Sequence, residues 1–231
     1  LLPDLIENVR KWAEGWDADS KWSCADPRLD ANGLFWQVDT GDGMEFSIGG
    51  HGYRPSLNSY MYGAFKAITA LAERAGDTPL AGRFAERAEG LRALVHEHLW
   101  DPDAQFFKTL VNEAGARPHY DWQEVAPRIW QAGEMVDVRE LVGYIPWYFN
   151  LPYPGHEDAW RQLTDPEGFQ APFGPTTAEQ RHPHFLFDHT HDCLWNGYSW
   201  PYATTQTLVA LANLLNNYDQ DIMTKADYLS T

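Results

Sequence analysis

Residues 56–100, SLNSYMYGAFKAITALAERAGDTPLAGRFAERAEGLRALVHEHLW, decide the fold. Apolar side chains recur every three or four positions from Leu57 to Ala75, which is the spacing of one buried helix face. Gly76 follows at once and supplies a helix stop, because glycine adopts the left-handed backbone that ends many helices. The first half of the stretch therefore predicts a long amphipathic helix.

A second helix begins directly after that stop. Thr78 is the predicted N-cap and Pro79 the first helical residue, and an apolar face then runs from Leu80 to Leu99. Two amphipathic helices joined by a turn of two or three residues form an antiparallel hairpin. We therefore expect helix hairpins to be the repeating unit of the fold.

The rest of the chain follows the same plan. Further helical patterns cover the N-terminus (2–16), a short segment (156–163), a helix apolar nearly all round and so expected to be buried on several sides (201–217), and a last segment (219–231). Weaker signals predict a short strand (106–110) and a helical turn (136–141). Three aromatic loops (17–54, 143–153, 185–202) separate these elements. The prediction is a single all-α domain with long aromatic loops.

Composition narrows the range of partners and ligands that the chain is expected to bind. The 231 residues contain 17 Lys and Arg against 33 Asp and Glu, for a net charge of −16. Such a chain lacks the basic face that nucleic acids and anionic membranes require, so neither is an expected partner. The 11 Trp, 11 Tyr and 11 Phe suit either a site for uncharged ligands with apolar faces, sugars above all, or a large aromatic core.

The segment 41–47, Gly-Asp-Gly-Met-Glu-Phe-Ser, is the first candidate site. Asp42 and Glu45 lie three residues apart in a glycine-flanked loop, with Trp36 upstream and Arg54 downstream. An apolar site would raise the pKa of such a carboxyl group and suit it to general acid catalysis. The alternative is a turn with solvated acids, or Glu45 paired with Arg54.

The segment 192–201, Asp-Cys-Leu-Trp-Asn-Gly-Tyr-Ser-Trp-Pro, is the second candidate. Trp195 and Trp200 could form stacking walls and Asn196 could bind a hydroxyl group, a usual division of labour in a ligand pocket. The alternative is a tryptophan-anchored helix N-terminus.

Two further segments are more ambiguous. A run rich in His and Asp suggests a metal ligand set or simply a histidine-rich loop; it contains His182, His184, Asp188, His189, His191 and Asp192. Residues 176–181, which include Glu179 and Gln180, predict a capping-box turn or a polar rim of the site. Two cysteines, Cys24 and Cys193, allow one disulfide but no disulfide framework.

Taken in order, these motifs resemble the mannosylglycerate-hydrolase-like branch of the (α/α)-barrel glycoside hydrolases, related to family 63 and to trehalases. Segment 42–47 is similar to the family's Ser-Gly-x-Asp-(Asn/Phe)-Ser, and 56–60 to its Asp-Leu-Asn-x-(Tyr/Leu) helix start. Segments 99–101 and 106–108 look like its Leu-Trp-Asp and following Phe-Phe-Asp strand. Segment 195–201 looks like its Trp-Arg-Gly-Pro-x-Trp-Pro.

The resemblance implies an inverting hydrolase of an α-linked sugar, such as a glucoside or mannoside, on an (α/α)6 toroid, with no cofactor or metal. The family's catalytic acid aligns with Glu45, where the family has Asp, and Asp42 is the second choice. Its arginine aligns with Asn196, so the sugar subsite differs. The expected substrate-binding residues are Trp36, Arg54, Asn58, Tyr144, Trp147, Glu179, Gln180, Trp195, Asn196 and Trp200.

Inversion needs a second carboxylate, ~6.5–9.5 Å from the acid, to activate water. In the family that base is a Glu beyond the Trp-rich motif, so the resemblance implies a base beyond Thr231 and an incomplete toroid. Glu140 or Glu179 would serve only if the resemblance misleads here. Two other classes stay open, namely a non-catalytic carbohydrate-binding or scaffold module and a metal-dependent enzyme built on the histidine-rich loop.

Overall fold

The computed structural model describes residues 2–17, 28–113, 130–187 and 193–231. Its α-helices are α1 (Leu2–Gly15), α2 (Pro55–Ala75), α3 (Thr78–Leu99), α4 (Ile145–Tyr148), α5 (Pro201–Asn217) and α6 (Lys225–Ser230). Two-residue strands β1 (Trp100–Asp101) and β2 (Phe106–Phe107) pair antiparallel. Short 3-10 helices span Asp39–Asp42, Leu141–Tyr144 and Glu157–Leu163. The predicted all-α class is confirmed.

Helices α2 and α3 form the predicted hairpin. Gly76 ends α2 in the left-handed region, with φ of +76°, and its N–H bonds back to the last turn. The N-cap of α3 is Asp77 rather than the predicted Thr78, because the Asp77 side chain accepts a hydrogen bond from Leu80 N–H at 3.1 Å. Phe65 and Phe84 pack across the hairpin with ring centroids 5.7 Å apart.

The Phe65–Phe84 contact is followed by a second aromatic layer, which consists of Phe106, Phe107, Tyr144, Trp147 and Trp160. Tyr144 stacks on Trp160 at 4.2 Å, and Trp147 meets Trp160 edge to face at 5.6 Å. Phe106 and Phe107 of β2 close this layer against Tyr144 and Trp147. Much of the aromatic excess in the sequence therefore lies in the core.

Several sequence predictions need correction. Residues 136–140 are extended rather than helical, since Glu140 bridges Ala178 in an antiparallel pair. Residues 143–153 were predicted to form a loop, but residues 143–148 are helical, because they belong to the 3-10 helix Leu141–Tyr144 and to α4. Helix α5 buries one face rather than several, and Val209 is 37% exposed.

No helix in the described ranges is long and apolar enough to cross a membrane.

Candidate functional site

The loop that precedes α2 is built around the guanidinium group of Arg54, which is fully buried. Arg54 Nε donates to Asp42 Oδ2 at 2.7 Å, and the terminal nitrogens contact Ser47 Oγ at 3.3 Å, Met44 Sδ at 3.5 Å and the Gly50 carbonyl. One side chain therefore holds a loop that contains little regular structure. The position of α2 fixes this loop, because Arg54 is the residue directly before its first turn.

Asp42 is the most tightly held carboxylate of the loop. Its Oδ2 atom accepts hydrogen bonds from Arg54, from Ser56 Oγ and from Gln37 Nε2, the last at 3.1 Å. Its Oδ1 atom is buried and has no hydrogen-bond partner among the described residues. Because three donors converge on Oδ2, the Asp42 side chain is held in one position, and Oδ1 is the oxygen that still has acceptor capacity.

Two more buried carboxyl groups, those of Asp39 and Glu140, interact electrostatically with Arg54. Burial raises the pKa of Asp39 to about 7, and nearby Asp42 adds to the rise while Arg54 opposes it. Burial likewise raises the pKa of Glu140, against the opposing effect of Arg54. Glu140 Oε1 accepts the Gly49 N–H at 3.0 Å. A Cβ atom at Gly49 would lie 2.5 Å from Glu140 Oε2, so this close approach requires glycine.

Glu45 occupies a different environment at the edge of the same loop. It is half-buried, and its backbone carbonyl accepts the N–H of Trp195 at 3.0 Å, which ties the loop to the second motif. The next residue, Phe46, has a φ of +58°, a strained conformation for a bulky side chain and one that clusters at functional sites. Burial and the neighbouring Glu45 raise the pKa of the Cys193 thiol, which places Cys193 beside this carboxyl group.

Trp195 and Trp200 form one stacked pair rather than two facing walls. Their ring centroids lie 5.1 Å apart and their planes differ by 6°, so the rings are in contact with each other. Trp195 is buried, whereas Trp200 is partly exposed and donates its indole N–H to Leu194 O at 2.8 Å. The prediction of separate walls is corrected to a single aromatic platform beside Glu45.

Asn196 follows the platform and is buried. Its Nδ2 atom donates to Phe187 O at 2.7 Å, while its Oδ1 atom has no hydrogen-bond partner among the described residues. Buried polar atoms are nearly always paired in folded proteins. Asn196 Oδ1 and Asp42 Oδ1 are therefore unusual, because both are buried acceptors without a partner among the described residues.

Three aromatic residues of the expected sugar pocket belong elsewhere. Tyr144 and Trp147 are completely buried in the second aromatic layer. Trp36 is buried beneath Arg28, whose guanidinium carbon lies 4.5 Å from its ring centroid. The structure therefore places these three side chains in the core, where they offer no exposed face.

Asn58 is also structural. Its Oδ1 atom accepts the Phe35 N–H at 2.9 Å, and its Nδ2 atom donates to Phe35 O at 2.8 Å and to Arg54 O at 2.9 Å. Both protons of the amide are used, and the side chain is fully buried. Asn58 therefore clamps the loop to α2.

We expect Asn58→Ala to lower the free energy of unfolding by about 2–3 kcal/mol, since it leaves buried backbone groups unpaired. Urea denaturation followed by circular dichroism measures this loss. Asn216→Ala is the matched control, because Asn216 is exposed and bonds only within α5; its effect should stay at about 0.5 kcal/mol or below. Equal effects in the two variants would contradict the clamp.

Glu179 and Gln180 tie loops together. Glu179 is buried, and its two oxygens accept from Arg139 N and Arg139 Nη1, each at 2.8 Å. Gln180 Nε2 donates to the carbonyls of Pro166 and Gln170. The capping box predicted for 176–181 does not form, because Thr176 Oγ1 donates to Ala178 O at 2.8 Å and no helix follows.

Comparison with known protein families matches residues 1–231 to the mannosylglycerate hydrolase MGH1-like glycoside hydrolase domain. The chain belongs to this family. A solved structure named "Sialidase" shares 38% sequence identity with this glycoside hydrolase domain and superposes with a TM-score of 0.81, over 98% of this chain and 19% of that one. No curated protein matches this chain.

More distant structures agree in fold. The family 63 mannosylglycerate hydrolase from Thermus thermophilus in complex with glucose has a TM-score of 0.51 and 18% identity, over 70% of this chain and 34% of that one. An uncharacterized conserved protein from the same organism gives 0.54 and 17%, over 77% and 37%. These neighbours support the expected helical toroid. The glycoside hydrolase domain spans about a fifth to three eighths of these chains.

The histidine-rich loop is described in part. His182 Nδ1 accepts the His184 N–H at 3.2 Å, so Nε2 carries the proton that bonds Asp137 Oδ1 at 2.9 Å. Asp188, His189, His191 and Asp192 lie outside the described residues, as does Cys24. Within the described ranges, no three His, Cys, Asp or Glu side chains come together as a metal ligand set.

The sequence prediction missed a polar cluster beside the platform. Gln206 Nε2 on α5 donates to Tyr60 Oη on α2 at 2.7 Å and to Tyr202 Oη at 3.1 Å. Tyr202 packs edge to face on Trp195, with centroids 6.3 Å apart. A local pattern could not reveal a bond between residues 146 positions apart; Tyr202 directly after Trp200-Pro201 was the available signal.

Proposed function

We propose that the chain is part of a single catalytic (α/α) toroid domain of an inverting glycoside hydrolase that cleaves an α-linked, uncharged sugar such as a glucoside or mannoside. The observation that carries the proposal is the position of Glu45. This half-buried residue follows the fixed carboxylate of Asp42 by three positions, and its backbone carbonyl accepts the N–H of Trp195, which forms the aromatic platform with Trp200. Sugar sites combine these elements, since apolar ring faces stack on aromatic side chains and hydroxyl groups bond to polar ones.

Glu45 suits the role of general acid better than Asp42 does. The acid must carry a proton and release it to the leaving oxygen. Asp42 Oδ2 accepts hydrogen bonds from three donors, so the Asp42 side chain is held in one position by the loop. Glu45 is bordered by the Cys193 thiol, and its backbone carbonyl is fixed by the N–H of Trp195.

Asp42 and Asn196 would hold the sugar in place. Each presents a buried acceptor oxygen that has no hydrogen-bond partner among the described residues. A sugar hydroxyl that donates to Asp42 Oδ1 would meet a negative charge held by the buried Arg54. Fixed negative charge near the anomeric carbon also stabilises the positive charge that develops in an oxocarbenium-like transition state.

The catalytic base is proposed to come from outside these 231 residues. Glu179 is buried with both oxygens bonded to Arg139. Glu140 is buried, and its Oε1 atom accepts the Gly49 N–H. Neither carboxylate suits the activation of water. The domain covers 19–37% of its structural neighbours' chains, so a base elsewhere in the protein fits the comparison.

The direct test is product stereochemistry in the full-length protein that contains this domain. A panel of α-glucosides, α-mannosides, mannosylglycerate and a sialoside is incubated with enzyme and followed by proton NMR. We expect one of the uncharged α-glycosides to release its β anomer first. Release of the α anomer would contradict inversion, and binding without release across the panel would favour the non-catalytic carbohydrate-binding module.

A further inference from the structure

The cluster of Tyr60, Tyr202 and Gln206 lies next to the aromatic platform of the proposed site. A Cβ atom on Gly43 would lie 3.8 Å from Cε1 of the Tyr202 ring, and the same ring meets Trp195 edge to face. Tyr202 thus sits between the loop that carries Glu45 and the aromatic platform. Its side chain is 53% exposed, which leaves part of the ring accessible to a ligand.

The hydrogen bonds of the cluster have a defined direction. Gln206 Nε2 has two protons, and both are donated, one to each tyrosine hydroxyl oxygen. Each hydroxyl oxygen therefore accepts from Gln206, and because the two tyrosine hydroxyl groups also hydrogen-bond each other, one hydroxyl proton remains for another partner. The Gln206 Oε1 atom remains an acceptor. The cluster thus presents a donor and an acceptor side by side, the pattern that neighbouring hydroxyl groups of a sugar match.

The cluster is also held rigidly enough to discriminate between ligands. Tyr60 packs edge to face on Phe149 at 5.0 Å and lies 6.2 Å from the Tyr148 ring, so α4 supports it from behind. Burial raises the pKa of Tyr60 to about 12, and the hydroxyl group keeps its proton at any working pH. A donor with a fixed position and a fixed protonation state gives specificity for a hydroxyl group.

We propose that Tyr60, Tyr202 and Gln206 form a hydroxyl-binding subsite that orients an uncharged sugar ring against Glu45. The inference rests on the proposed glycoside hydrolase function and adds the residues that select the sugar. The ring would lie on Tyr202, and two of its hydroxyl groups would bond to the cluster. A sugar that lacks one of those hydroxyl groups would lose affinity.

The test measures dissociation constants by calorimetry in a Glu45→Gln background of the full-length protein, with the glycoside from the panel that is hydrolysed. Tyr202→Phe should weaken binding about 3–10-fold, the loss of one hydrogen bond to a neutral hydroxyl group. Gln206→Glu should weaken binding about 10-fold or more. The carboxylate would accept hydrogen bonds from the tyrosine O–H groups, so that neither group could donate to the sugar. Tyr153→Phe and Asn216→Leu, away from the cluster, should bind as the parent does.

Monodeoxy analogues of the same sugar complete the test. The parent protein should bind one of these analogues about 3–10-fold more weakly than it binds the unmodified sugar. For that analogue, Tyr202→Phe should not weaken binding any further. Tyr202→Phe and Gln206→Glu variants that bind the sugar as tightly as the parent would overturn the subsite while leaving the hydrolase proposal intact. A parent protein that binds no sugar in the panel would overturn both.

Discussion

Replacing Glu45 by glutamine is expected to lower kcat on the hydrolysed α-glycoside by about 10²–10⁴-fold. General acid catalysis contributes roughly that factor to a reaction whose leaving group needs a proton. Glutamine keeps the size of the side chain and its place beside Cys193 and Trp195, so binding should change little. Initial rates over a range of substrate concentrations separate kcat from KM.

The matched control for this prediction is Glu97→Gln, which changes an exposed carboxylate on α3 and should leave kcat unchanged. Asp42→Asn tests the second choice for the acid. We expect it to raise KM and to lower kcat by a smaller factor than Glu45→Gln does, because Asp42 is proposed to hold the sugar and to stabilise positive charge in the transition state without transferring a proton. A large fall in kcat for Asp42→Asn with an unaffected Glu45→Gln would reverse the two assignments.

Replacing Arg54 by methionine is expected to lower the free energy of unfolding by about 3–5 kcal/mol, the usual cost of leaving buried charges without their partner. Asp42, Asp39 and Glu140 all depend on this one guanidinium group. Arg83→Met is the control, because the ion pair of Arg83 with Glu14 is largely exposed and should contribute about 1 kcal/mol or less.

The loss in Arg54→Met should depend on pH in a known direction. Burial raises the pKa of Asp39 to about 7, above its value of about 4 in an unfolded chain, so its protonated form is favoured in the folded state. Stability attributable to Asp39 therefore rises as pH falls from about 7 to about 4. The difference in unfolding free energy between Arg54→Met and wild type should be smaller at about pH 5 than at about pH 8. An equal or larger difference at the lower pH would contradict the shared-charge arrangement.

The scaffold could be predicted from sequence because local rules determine it. The α2–α3 hairpin follows from apolar spacing, the left-handed Gly76 and the proline that begins α3, all within one stretch of chain. The error at its N-cap was a single residue, since Asp77 and Thr78 are both good caps. Helix α5 was located correctly at Pro201–Asn217, but how many of its sides are buried depends on distant packing.

The site was harder to predict because burial decides the role of each aromatic and polar residue. Trp36, Tyr144 and Trp147 have the residue type of a sugar pocket but are enclosed in the core. Asn58 has the residue type of a ligand but forms three hydrogen bonds to the backbone.

Conversely, the importance of Asp39, Glu140 and Gln206 comes from partners far away in sequence. Glu140 bonds Gly49 across 91 residues, and Gln206 bonds Tyr60 across 146. No periodicity or short motif encodes such pairs. They became visible only when the loop before α2 was placed against the extended segment at 136–140 and against α5.

The central claim, that Glu45 protonates the leaving group, is tested most directly with α-glycosyl fluorides. Fluoride departs without a proton, so a variant that lacks only the acid keeps its activity on the fluoride while losing activity on the matching disaccharide. We predict that Glu45→Gln hydrolyses α-glucosyl or α-mannosyl fluoride within about 10-fold of the wild-type rate, with kcat on the disaccharide reduced by about 100-fold or more. Equal loss on both substrates would contradict the assignment.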